Sequence, residues 1–85
     1  MKVEEVFLIY QNEPIRVYFS DGEIYDISVV VLGDEFHADV IANVLNVVKG
    51  KKSIEDWNNQ YLDFLLEDVI KVERQGECIF EKDLT

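Results

Sequence analysis

Asp34, Glu35, His37 and Asp39 set the chain's one histidine among three carboxylates, the donor types of a metal site or of an acid–base centre. Their spacing serves neither chemistry. If residues 34–50 form a helix, Asp34 is its N-cap and Glu35 and Asp39 complement its positive end. Asp39 then lies about 200° around the helix from His37, so a shared ion would need ligands from elsewhere. His37 closes the edge of an apolar arc.

Nucleophilic catalysis lacks its parts. Cys78 stands alone, with His37 as its sole imidazole base, and its place on the inner row of a predicted hairpin makes it a small buried hydrophobe. Ser20, Ser28 and Ser53 occupy a turn, a strand and a cap. The four glycines stand singly at chain reversals or helix ends, not in a phosphate-cradling loop. Lys49, Lys51 and Lys52 complement a helix C-terminus, without the arginine or glycine loop of an anion site. The expectation is a protein that is not an enzyme and holds no cofactor and no metal.

Charge remains. Eighteen acids against eight bases leave a formal net charge of −10 and an isoelectric point near 4.3, which disfavours nucleic acid and anionic membranes and favours a basic partner surface. The acids fall in rows: Glu55, Asp56, Asp63, Glu67 and Asp68, then Glu73, Glu77 and Glu81. On a helix, i and i+4 are about 6 Å apart along the axis, and on a strand i and i+2 are about 6.8 Å apart, spacings that echo the repeat of a phosphate backbone. These eight residues are the expected partner-binding set of a DNA mimic that occupies a nucleic-acid-binding protein or nuclease. The alternative is an interaction module or homodimer that uses an apolar patch at Trp57 or Tyr18, or an exposed sheet edge.

The elements that must carry these residues follow from pattern. Residues 3–10 read as a strand, ended by the turn formers of 11–14. Residues 15–19 and 23–31 form a hairpin. A three-residue loop with Gly22 in the left-handed conformation groups Ile15 and Val17 with Tyr25 and Ile27 on one face and sets Arg16 opposite Asp26 on the other. Residues 34–50 read as a buried helix whose apolar positions, Phe36, Val40, Ile41, Val44, Leu45, Val47 and Val48, sweep about half its circumference, with Gly50 as its stop. Residues 53–67 read as an amphipathic helix opened by Ser53 and Asp56, with Ile54, Trp57, Tyr61, Phe64 and Leu65 inward and Asp56, Asp63 and Glu67 outward. Residues 69–73 and 77–82 form a second bulged hairpin, with Ile70, Val72, Cys78 and Phe80 inward and Glu73, Glu77 and Glu81 outward. Residues 83–85 fray.

The order βββααββ indicates an α+β fold: an antiparallel sheet with three N-terminal strands, two helices on one face and a C-terminal hairpin. The length suits one domain, 1–85. The longest apolar run, residues 6–10, falls far short of the roughly 20 residues of a membrane span, and Met1-Lys2 is followed by acids. With one cysteine, no intramolecular disulfide forms, and a cytoplasmic location is expected.

Small size, low isoelectric point and acidic rows without catalytic equipment resemble phage-encoded inhibitors of host nucleases, including anti-CRISPR and anti-restriction proteins. That likeness is to a functional class and implies occupation of a nucleic-acid channel. No individual residue carries over. The stretch Ile15-Arg16-Val17-Tyr18-Phe19-Ser20-Asp21-Gly22-Glu23-Ile24-Tyr25-Asp26-Ile27 is similar to the opening hairpin of a widespread family of small uncharacterised bacterial domains.

Overall fold

In the computed structural model, which describes residues 2–33, 38–58 and 60–82, the N-terminal apolar run is a helix, α1 (Val3–Ile9), and not a strand. Val3, Val6, Phe7 and Tyr10 recur at helical spacing, and Glu4 and Glu5 suit the positive first turn. Val6 and Phe7 are fully buried, whereas Leu8 and Ile9 face solvent.

Six strands follow: β1 (Pro14–Phe19), β2 (Ile24–Leu32), β3 (Val40–Lys49), β4 (Tyr61–Phe64), β5 (Val69–Arg74) and β6 (Glu77–Glu81). They form one sheet in the order β4-β3-β2-β1-β5-β6, antiparallel throughout. The two helices expected on one sheet face are absent, and the βββααββ plan is corrected to a helix followed by a six-stranded sheet with two 3-10 turns, Ile54–Trp57 and Leu66–Asp68.

The first hairpin has the expected register: Ile15 pairs with Ile27, Val17 with Tyr25 and Arg16 with Asp26, and Gly22 has φ 91°. β3 replaces the buried helix. Val40, Ala42, Val44 and Val47 point inward, opposite Leu32, Val29, Ile27 and Tyr25. Extra residues at Leu45 and Val48 bulge this strand and lengthen the inward spacing from two to three, which imitates one face of a helix. Its β-branched content favours a strand. Asp34, Glu35, Phe36 and His37 lie outside the described residues, as do 83–85.

The second expected helix stops after one turn. Its capping box is present, with the Asp56 carboxylate accepting from the Ser53 backbone N–H at 3.2 Å, but the chain then leaves for β4, whose pairing with β3 outweighs helix propensity. The C-terminal hairpin also differs in detail. Gln75 and Gly76 both have positive φ (52° and 81°), so this is a two-residue turn with Arg74 opposite Glu77. The bulge comes later, at Ile79; Val72 still meets Phe80, but Cys78 pairs with Glu73 and is exposed, contrary to its expected burial.

The sheet curls around α1. Phe64 at one edge packs edge-on against Phe7 of α1 at 5.7 Å and Phe19 of β1 at 4.9 Å, while α1 also touches β6 at the other edge. The chain thus crosses from β4 to β5 over the inner face, through the second 3-10 turn. Asp39 latches that crossing: its backbone N–H donates to the Phe64 carbonyl at 3.0 Å and its carboxylate accepts from the Leu66 N–H at 2.9 Å.

The outer face is a polar mesh. Arg16 donates twice to Asp26, at 2.8 and 3.2 Å, and this pairing raises the guanidinium pKa further. The Tyr18 hydroxyl donates to Glu73 at 2.6 Å and Lys71 lies 3.5 Å from the same carboxylate. The tyrosine hydrogen bond, more than the lysine charge, lowers the Glu73 pKa.

Candidate partner-binding groove

The eight acids expected to form one face are divided by the fold among four places. Glu55 and Asp56 lie in the first 3-10 turn, exposed, with Asp56 engaged at the cap. Glu73 is committed to Tyr18 and Lys71 on the outer face. Glu77 and Glu81 lie on β6, the opposite sheet edge from β4. Asp63, Glu67 and Asp68 remain exposed where the chain crosses from β4 to β5. The helical stripe of Asp56, Asp63 and Glu67 does not exist, because residues 53–67 are not one helix.

The crossing creates a different cluster. Asp63 and Asp68 come to the β1–β2 turn and line, with Asp21 and Glu23, one groove of about 390 Å³ whose apolar surface includes Phe19, Tyr25, Leu62 and Phe64. Among the described residues none of the four carboxylates has a salt-bridge partner.

Short bonds hold these segments. The Ser20 N–H donates to the Asp68 carbonyl at 2.8 Å, joining the hairpin loop to the second 3-10 turn. The Asp21 carboxylate accepts from the Glu23 N–H at 2.9 Å, so the loop is fixed by its own side chain. Glu23 accepts from the Lys51 N–H at 3.0 Å.

Tyr25 stands at the groove, its ring edge-on to Phe19 and Trp57. Burial, and then a hydrogen bond to Glu23, push its hydroxyl pKa up to about 12. An unfolded tyrosine ionises near 10, so between those values the unfolded chain holds fewer protons than the folded one. Stability is then whole below pH 10 and falls as pH rises towards 12. Urea midpoints across this range should show the fall, and Tyr25→Phe should flatten it; Tyr18, whose pKa is also raised by its bond to Glu73, adds a slope of the same sign.

Asp21 and Glu23 were outside the expected set. The Asp-Gly loop itself was evident, and the acids on it are local; what sequence spacing could not show is that residues 62–68 fold over to meet them. Among the described residues, no three His, Cys, Asp or Glu side chains are grouped to hold a metal ion, and no helix is long and apolar enough to cross a membrane. No protein-family model, curated protein or solved structure matches the chain.

Proposed function

We propose that this chain is a non-enzymatic binding protein that takes a basic partner surface, with lysine or arginine side chains of the partner entering the groove between the β1–β2 turn and the β4–β5 crossing. The observation that carries this reading is the meeting of four carboxylates from three chain segments over an apolar floor. A lysine or arginine side chain matches both parts, its aliphatic stem lying on Phe19 and Phe64 and its cationic head reaching the acids. The net charge of −10 adds long-range attraction for the same partners. Proteins that bind nucleic acid carry the densest basic surfaces, and occupation of such a surface remains the specific role we favour.

A fluorescent lysine- and arginine-rich peptide serves as the probe. The pair Asp63→Lys and Asp68→Lys should weaken its binding at least tenfold, about 1.4 kcal/mol, while Glu77→Lys with Glu81→Lys, an equal charge change on the opposite edge, costs distinctly less. Affinity of the unaltered chain should fall between low and physiological salt. Equal losses from the two pairs would show that only net charge acts, and would overturn the groove.

A further inference from the structure

We infer that the free edge of β3 joins two copies of this chain into a dimer with a continuous sheet. β4 pairs with β3 only from Val40 to Asn43. Among the described residues, no backbone hydrogen bond joins residues 44–49 to anything outside β2, so the C-terminal part of this ten-residue strand presents an unpaired edge.

The side chains along that edge are arranged symmetrically. Val44 and Val47 face inward, opposite Ile27 and Tyr25, and the bulge between them leaves Leu45 and Asn46 facing outward. The order in, out, out, in is unchanged when the strand is reversed. An antiparallel copy, placed with its two-fold axis between Leu45 and Asn46, therefore sets Val44 of one copy against Val47 of the other and brings the two Leu45 side chains together. Leu45 is 46% exposed and Val48 42%, so the pairing covers apolar surface that a lone copy leaves in water.

A groove of about 770 Å³ runs beside Val44 and Leu45 on this edge, with Glu55 in its wall, and Lys52 stands over the Trp57 ring of the same groove at 4.8 Å. The β6 edge is the poorer candidate, because Glu77 and Glu81 there would meet like charges.

None of the groove carboxylates of the proposed partner site takes part, so the two ideas stand or fall separately. Sedimentation velocity of the full chain at high micromolar concentration and physiological salt should show a dimer. Leu45→Glu, which places two carboxylates at the axis, should raise the dissociation constant at least tenfold, about 1.4 kcal/mol, without lowering the melting temperature of the monomer. Leu45→Cys in a Cys78→Ser chain should form a disulfide-linked dimer on mild oxidation, since residues astride such an axis come within disulfide reach. A chain that stays monomeric, a Leu45→Glu variant that dimerises as tightly, or a Leu45→Cys chain that does not cross-link would each overturn the pairing.

Discussion

Phe64→Ala should cost this protein about 3–5 kcal/mol, the range for removing a buried phenylalanine, out of the roughly 4–13 kcal/mol expected for a domain of 85 residues. Phe64 is 8% exposed and stands where three elements meet: its ring packs edge-on against Phe7 of α1 and Phe19 of β1, while its backbone pairs with Val40 of β3. Among the described residues, no other joins the short β4 to the rest of the curled sheet through two aromatic contacts. Alanine leaves a void bounded by two rigid rings that cannot close upon it. A melting temperature lower by about 12 °C or more is expected for a chain of this size, and differential scanning calorimetry measures it directly. Because β4 also carries Asp63, the same variant should loosen the acidic groove. A fall of only a few degrees would mean that the β4–β5 crossing is held by its backbone bonds and Asp39 alone.

Gly50→Ala should destabilise the fold by about 1–3 kcal/mol through overpacking. Gly50 is not among the residues with positive φ, so backbone conformation is not the reason. The reason is space: a methyl group at this position would lie 2.9 Å from the Tyr25 hydroxyl, 3.1 Å from Val47 and 3.2 Å from the Glu23 carboxylate. Tyr25 cannot swing aside, being 4% exposed and packed between Phe19 and Trp57. Movement of Glu23 would cost its bond from the Lys51 N–H. Equilibrium urea unfolding of four chains separates these causes. If the hydroxyl is the obstacle, Gly50→Ala should cost markedly less in a Tyr25→Phe background than in the natural one, a coupling visible in a double-mutant cycle. Equal costs in the two backgrounds would place the clash at Val47 and Glu23 instead.

Both sites were only partly visible along the chain. Gly50 was expected to end a helix, and it does mark the end of an element, but of a strand beside a buried tyrosine. Phe64 was expected to face inward from a helix; it faces inward from a strand. For Phe64 the apolar pattern located the buried side chain correctly while misjudging the backbone that presents it. The bulges at Leu45 and Val48 explain the error in β3, since they space inward residues three apart. At 53–67 a genuine capping box suggested a helix that a neighbouring strand edge then prevented. At 3–10 the strand-forming types of the run concealed a helical repeat of Val3, Val6, Phe7 and Tyr10.

The candidate groove was legible only as charge. Asp63 and Asp68 belonged to the expected acidic set, whereas Glu55, Asp56, Glu67, Glu73, Glu77 and Glu81 do not line the groove, and Asp21 and Glu23 joined from a loop some forty positions away.

Local rules were sufficient for the first hairpin, because loop length, Gly22 and the alternation of Ile15, Val17, Tyr25 and Ile27 all favour one register within a dozen residues. The sign and size of the charge were likewise properties of the chain alone. Tertiary structure decided which carboxylates share a groove and which strand edge stays open. Those outcomes depend on contacts between distant segments, Phe64 with Phe7 and Phe19, and Ser20 with Asp68. Contacts of that kind gain their energy only once the sheet has curled, so no periodicity within a single segment records them.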